Sequence, residues 1–262
     1  MRPVALISFV FVSLASALAT PVSAAPVEPI LYGYRIVETY PHDRSAFTQG
    51  LFFNDGALYE STGQYGASSL RRIDHETGEI VQETPLPQSY FGEGAAMAGD
   101  DIFLLSWREG TAFRFDAEDF TLENSHAYEG EGWGLTYDGE ALIMSDGTAE
   151  LRFIDPEDFT ELRRLQVTLR GKPLKNLNEL EWVDGEIYAN VWQTNALVRI
   201  DPDTGAVIGI IDLRGLLTDE DFIRGETDVL NGIAHRGEDD ILYVTGKYWP
   251  KLFKIDVIEL AN

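Results

Sequence analysis

Glu93 stands between two glycines in Phe91-Gly92-Glu93-Gly94, a carboxylate next to an aromatic ring on backbone that a ligand can approach closely. Desolvation by aromatic walls raises a carboxyl pKa, and a value near neutrality suits a group that both takes and returns a proton. Similar short segments recur along the chain: Phe47-Thr48-Gln49-Gly50-Leu51, Glu131-Gly132-Trp133-Gly134-Leu135, Asn176-Leu177-Asn178-Glu179-Leu180 and Leu230-Asn231-Gly232-Ile233. Each sets polar or aromatic side chains just ahead of an apolar run. Trp107, Trp192 and Lys247, the last followed by Tyr248 and Trp249, close other apolar runs. One carboxylate, a few amides, an ammonium and several aromatic faces could hold a cationic amine, carry one proton and stabilise an oxyanion. Other chemistries lack their signatures. His42, His75, His126 and His235 have no metal-ligand spacing, no Gly-x-Ser-x-Gly elbow is present, and there is no cysteine. No EF-hand pattern occurs either, and acidic runs such as Glu238-Asp239-Asp240 read as solvated turns.

Those residues are far apart in sequence, so the fold must gather them. From Phe47 onward the chain reads as short β-type runs separated by turn signals, with Asp-Gly pairs at 55–56, 138–139 and 184–185 marking hairpins. The positions 50, 94, 134, 179 and 232 open successive units, with spacings of 44, 40, 45 and 53. A second run follows in each unit, then a third that ends in aspartate: Asp74, Asp116, Asp155, Asp201 and Asp256. A fourth follows in all but the last. Units of four strands at this period predict an all-β, five-bladed β-propeller. The last unit lacks its outer strand, and the N-terminal run Tyr32–Tyr40 is expected to supply it and close the ring. A β-sandwich is the competing architecture. The best short helix is expected over Thr218–Arg224, with Thr218 as N-cap. In a propeller the loops entering the inner strands converge on one mouth. That places Phe47, Thr48, Gln49, Phe91, Gly92, Glu93, Glu131, Trp133, Asn176, Asn178, Glu179, Asp228 and Asn231 around it, with Trp107, Trp192, Lys247, Tyr248 and Trp249 returning nearby.

Composition bounds the partners. The 262 residues carry 20 Lys+Arg against 44 Asp+Glu, a net charge of −24. Such a chain is repelled by nucleic acid and by anionic membrane surfaces. Arg2, the apolar run from Val4 to Leu18 and the small residues before Ala25 read as a secretory signal peptide over 1–24, ahead of a single domain over 25–262. The run is short for a membrane span. The mature chain is therefore expected to be exported, periplasmic or secreted, and monomeric. Without cysteine it has no disulfides, so its core alone must hold it.

The segments quoted above, with Glu181-Trp182, Asn190-Val191-Trp192 and Thr245-Gly246-Lys247, together resemble the plant and bacterial type of glutaminyl-peptide cyclotransferase. The resemblance runs from Tyr32 to Asp256, with one motif in each unit. It implies a five-bladed propeller that converts an N-terminal glutamine into pyroglutamate and releases ammonia, with peptides or proteins bearing N-terminal Gln as partners. It implies Glu93 as the essential carboxylate, Gln49, Asn178 and Lys247 as polar site residues, and Phe47, Phe91, Trp107, Trp133 and Trp192 as the aromatic pocket. It implies no catalytic cofactor and no catalytic metal, in contrast to the zinc-dependent animal type, and allows a structural Ca²⁺. The group that stabilises the oxyanion stays open among Lys247, Gln49 and Asn178. Two other functions fit an aromatic mouth: a non-catalytic propeller that binds peptides or sugars, and a calcium-dependent lactonase-like hydrolase using Glu93, Asn178, Asn231 and Asp228.

Overall fold

Asp-Gly turns set the strand rhythm. At Asp55-Gly56 both residues take positive φ (47° and 79°), as they do at Asp184-Gly185 (49° and 88°), the two-residue hairpin geometry that matches strand twist. Asp138-Gly139 differs: only Gly139 has positive φ (99°), and the Asp138 carboxylate accepts the amides of Glu140 and Ala141 at 2.8 and 2.7 Å, giving a longer loop. Of the five aspartates expected to end the third strands, Asp256 lies within a continuing strand, opposite Arg35 and Ile241, and the other four act alike. Asp74, Asp116, Asp155 and Asp201 each accept the backbone N–H two residues on, at 2.8–2.9 Å.

The computed structural model describes residues 27–237 and 241–261; the expected signal segment lies outside them. A long strand β1 (Ile30–Pro41) comes first. Three antiparallel four-stranded meanders follow: β2 (Thr48–Asn54), β3 (Ala57–Thr62), β4 (Ser69–Asp74) and β5 (Glu79–Pro85); β6 (Gly92–Ala98), β7 (Asp101–Ser106), β8 (Thr111–Asp116) and β9 (Leu122–Ala127); then β10 (Leu135–Tyr137), β11 (Leu142–Met144), β12 (Glu150–Ile154) and β13 (Glu161–Gln166). A small hairpin, β14 (Thr168–Leu169) with β15 (Lys172–Pro173), leads on. The rest forms one eight-stranded sheet. It contains β16 (Leu177–Val183), β17 (Glu186–Val191), β18 (Ala196–Ile200), β19 (Val207–Asp212), β20 (Leu230–His235), β21 (Ile241–Gly246) and β22 (Lys251–Glu259), with β1 between β19 and β22. β1 runs antiparallel to β22 from Tyr32 opposite Glu259 to Pro41 opposite Lys251, and parallel to β19 over Ile30–Tyr32.

The first strands of successive units touch in a closed cycle, β2 with β6, β6 with β10, β10 with β16, β16 with β20 and β20 with β2. The protein is thus all-β and propeller-like; a two-sheet sandwich would give no such cycle. Apolar clusters fill the gaps between neighbouring sheets, as where Phe52, Tyr59 and Leu70 meet Ile102, Leu104 and Phe113, or where Leu51 and Leu58 meet Ala234, Tyr243 and Leu252. Hydrogen bonds tie the cycle at its inner edge. Ser61 donates to the Glu93 carbonyl at 2.6 Å, the Gly94 amide to Trp133 at 2.6 Å, Ser145 to Asn178 at 2.7 Å, the Gly232 amide to Asn190 at 3.0 Å, and Asn231 to Thr48 at 3.0 Å.

Glycine makes this proximity possible. A Cβ on Gly94 would collide with the backbone of Trp133 and Leu135, and one on Gly134 with the backbone of Asn178. The glycine after Glu93 therefore admits the neighbouring strand, not a ligand, contrary to the sequence expectation. The 218–224 segment also departs from expectation: it is a series of turns and no helix. Thr218 does not act as the expected N-cap: among the described residues its hydroxyl donates to the Asp221 side chain at 3.0 Å and accepts no backbone N–H, and no apolar stripe follows to stabilise helical turns.

Two buried glutamates on β16 brace the interior. Glu179 accepts the amides of Leu51 at 3.2 Å and Ile233 at 2.8 Å, spanning to β2 and β20. Glu181 accepts the His235 amide at 2.8 Å. Burial pushes Glu181 up from 4.5 to about 8, against the hydrogen bonds from His235, Trp182 and Thr136. With the folded value above the unfolded one, its contribution is full below the unfolded pKa. It is lost as pH rises from about 4.5 through about 8. Glu181→Gln, which cannot ionise, is therefore expected to gain stability over the wild type on going from pH 5 to pH 9, by on the order of a few kcal/mol. Thermal melts of both proteins at the two pH values check this.

Candidate active site

At one end of the ring, the residues that enter the first strands and those that leave the second strands share a backbone pattern. The N–H of Gly63 donates to the Phe47 carbonyl at 2.8 Å, that of Trp107 to Phe91 at 2.9 Å, that of Trp192 to Asn176 at 2.8 Å and that of Lys247 to Val229 at 2.9 Å. Gly63, Trp107, Trp192 and Lys247 therefore hold matching places in their units. Trp133 does not; it enters β10, its N–H donating to the Ser145 carbonyl at 3.0 Å. The residue after three of the matching places has positive φ: Gln64 at 100°, Gln193 at 66° and Tyr248 at 61°.

These loops enclose a cavity of about 410 Å³. Phe47, Gln49, Phe91, Glu93, Trp107, Trp133, Asn178, Trp192 and Lys247, the nine site residues expected from sequence, all line it, together with Gln64, Gln193, Asp228 and Val229. Other expected mouth residues lie elsewhere. Asn231 is fully buried, bonded to Thr48 beneath the cavity, and Glu179 lies with it in the interior. Trp249 turns inward onto Gly246 and packs on Phe253, its indole N–H donating to the Asp228 carbonyl at 2.9 Å.

Aromatic rings form the walls. Phe91 meets Phe47 edge-on at 5.9 Å and Trp107 at 5.5 Å, and Trp133 meets Trp192 edge-on at 5.5 Å. Gly63 and Gly147 give these rings their seats; a Cβ on Gly63 would strike Phe91, and one on Gly147 would strike Trp133. Behind the wall stands Glu131, which the sequence placed at the mouth. One of its oxygens accepts both indole N–H groups, from Trp107 at 2.8 Å and from Trp133 at 3.0 Å. Its other oxygen accepts Arg108 at 3.0 Å, whose guanidinium lies 3.7 Å from the centre of the Trp107 ring. Hydrogen bonds from Trp133, Arg108 and Trp107 hold Glu131 below the usual carboxylate range against its partial burial.

Glu93 is buried in this setting (5% exposed). Burial raises its carboxyl well above the ordinary value, Lys247 pulls it back, and Glu131 and Glu109 push it further up. Burial lowers Lys247, opposed by Glu93 and Asp228. The Lys247 ammonium lies 4.6 Å from the Phe47 ring centre. The Gln49 carbonyl oxygen is turned to Asn231 Nδ2 at 3.4 Å, which leaves its NH₂ as the cavity-side donor. The side-chain oxygen of Asn178, Oδ1, is buried without a hydrogen-bond partner in the protein, whereas its backbone carbonyl accepts from Ser145. The cavity thus offers an acid–base carboxyl, a cation and an amide donor within aromatic walls. Among the described residues no group of three or more His, Cys, Asp or Glu is placed to hold a metal ion.

Gln64 and Gln193 escaped the sequence reading. Their only signal is their place, one residue past Gly63 and Trp192, where the chain turns through positive φ.

An all-β ring with one aromatic, acid–base cavity where its first strands begin defines a propeller-like protein of the kind that hosts small-molecule or peptide chemistry. The glutamine cyclotransferase family profile matches residues 7–257, and the chain belongs to that family. It is 41% identical over 226 residues to a glutaminyl-peptide cyclotransferase of Arabidopsis thaliana, covering 84% of this chain and 70% of that protein. The crystal structure of Myxococcus xanthus glutaminyl cyclase superimposes with a TM-score of 0.83 at 38% identity, covering 89% of this chain and all of that one.

Proposed function

We propose that this chain cyclises the N-terminal glutamine of peptides or proteins to pyroglutamate and releases ammonia, with Glu93 carrying the proton. The observation that carries the reading is a single buried carboxyl of raised pKa in an aromatic cavity that also holds a lysine. The α-nitrogen attacks the side-chain carboxamide carbon, forming the ring C–N bond. Glu93 takes one proton from that nitrogen and passes it to the leaving nitrogen as the old C–N bond breaks. Ammonia departs and the carboxylate is restored. Lys247 and the Gln49 NH₂ serve the oxyanion, and the Asn178 amide lines the cavity beside them. Folding the glutamine side chain back on its own amine makes the attack intramolecular, and the rings hold that shape while keeping out water that would yield glutamate.

No step in this scheme calls on a metal or other cofactor. The structural Ca²⁺ stays part of the proposal as a stabilising ion only; the unpartnered oxygens of Asn178 and Asn231 are donors of the hard kind it prefers. The strand pairings support a count of five blades, with β1 as the outer strand of the last. Export after cleavage near Ala24, a monomeric state and indifference to nucleic acid and membranes complete the proposal.

Incubating the protein with a glutamine-initiated dipeptide tests it: ammonia and a pyroglutamyl product are expected, and no ammonia from a folded sample overturns it. The wall also makes a prediction. Glu131→Gln offers the two indoles a weaker, neutral acceptor, sets an NH₂ against the Arg108 donor in place of an oxygen, and removes a negative charge near Glu93. It is expected to raise KM by about tenfold through loosened Trp107 and Trp133, and to move the acid limb of kcat to lower pH. Steady-state kinetics across pH read both effects.

A further inference from the structure

A second cavity of about 180 Å³ adjoins the first, and Asp228 and Val229 line both. The partition is this short stretch of chain, pinned by backbone bonds to Lys247 on both sides: the Asp228 N–H donates to the Lys247 carbonyl at 3.0 Å and the Lys247 N–H to the Val229 carbonyl at 2.9 Å. Leu213, Leu217, Phe222, Leu230 and Trp249 supply its apolar wall, and Asp219 and Asp228 its charge. Phe222 is 51% exposed, so a large ring faces outward where the cavity opens. The neighbouring acids are matched, Asp212 with Arg214 and Asp221 with Lys251, whereas among the described residues Asp219 and Asp228 form no ion pair. Among the described residues no cationic side chain lines the cavity.

We infer that this second cavity is a subsite for the residue that follows the glutamine, and that it favours a long basic side chain. The inference rests on the reading of the first cavity given above. With glutamine seated there, the next Cα is about 3.8 Å from its own, so the second side chain falls on whatever borders that cavity. The border at 228–229 is thin and opens on a slot with apolar sides and two carboxylates, Asp219 and Asp228, that form no ion pair among the described residues. The methylene stem of lysine or arginine fits such walls while its head reaches carboxylate. A glutamate side chain would place like charges together and be disfavoured.

The test compares kcat/KM for Gln-Lys, Gln-norleucine, Gln-Gly and Gln-Glu peptides, amidated to cancel the C-terminal charge, with the wild type, Phe222→Ala and Asp219→Asn. The expected order is Lys, norleucine, Gly, Glu, with Gln-Lys about tenfold above Gln-Gly. Asp219→Asn should close the gap between lysine and norleucine, and Phe222→Ala should lower both toward glycine, while Gln-Gly turnover stays unchanged in each variant. Gln-Lys no better than Gln-Gly overturns the subsite, as does a norleucine peptide equal to the lysine one. A lysine preference that survives both variants also overturns it, because the field of the whole acidic chain would then be its source. Rapid turnover of Gln-Gly in these cases leaves the cyclase reading standing, whereas no turnover of any peptide removes that reading and the subsite with it.

Discussion

Replacing Glu93 by glutamine is expected to lower kcat by about 10³-fold while KM changes little. The substitution keeps the size and hydrogen-bonding shape of the side chain but removes its ability to accept a proton. The substrate amine would then have to lose its proton to water, which the aromatic walls restrict. The fold should be indifferent, since the Glu93 group that bonds to the preceding unit is its carbonyl, which accepts from Ser61. Removing a buried ionisable group also relieves a desolvation cost, so the variant should melt no lower than the wild type at neutral pH. The residual rate, from positioning and oxyanion stabilisation alone, should lose the acid limb that Glu93 imposes. Initial rates of ammonia release with pH, alongside thermal melts, check all of these.

Lys247→Met carries the second large effect, an expected loss of about 10²- to 10³-fold in kcat through the missing oxyanion partner. Its pH signature separates it from a packing defect. Lys247 is the group that holds Glu93 down against burial. Without it Glu93 rises further, and because Glu93 must be ionised to accept the proton, the acid limb moves to higher pH. On the alkaline side, the wild type should lose activity as pH passes the lowered pKa of Lys247, and the variant should lack that limb. A variant with reduced kcat but both limbs in place would mean that Lys247 only packs on Phe47.

Much of this site was legible because the fold repeats. A period near 40–53 residues puts equivalent strand ends in register, so residues as distant as Phe47 and Lys247 could be assigned to one mouth from spacing alone. What the period does not carry is side-chain direction. Trp249 follows Lys247 by two residues and was expected at the mouth; the positive φ of Tyr248 and the bare backbone of Gly246 turn it inward instead. Glu131 was seen only as a mouth residue. That one oxygen serves two indoles is a three-body contact with no sequence signature. The glycines beside Glu93 had an obvious reading, access for a ligand, but inner strands need the same freedom to touch one another. The helix expected over 218–224 failed for a plainer reason: the Thr218 hydroxyl is spent on the Asp221 side chain, and a few turn formers do not stabilise so short a segment. In its place the loop builds the wall of a second cavity.

Ammonia release from a glutamine-initiated dipeptide, measured with EDTA-treated wild type beside Glu93→Gln, tests the central claim most directly. The account predicts undiminished release from the treated wild type and near-complete loss in the variant. Release that disappears with EDTA from a sample still folded by circular dichroism, or that persists in the variant, would contradict a reaction in which one buried carboxyl moves the proton unaided by metal.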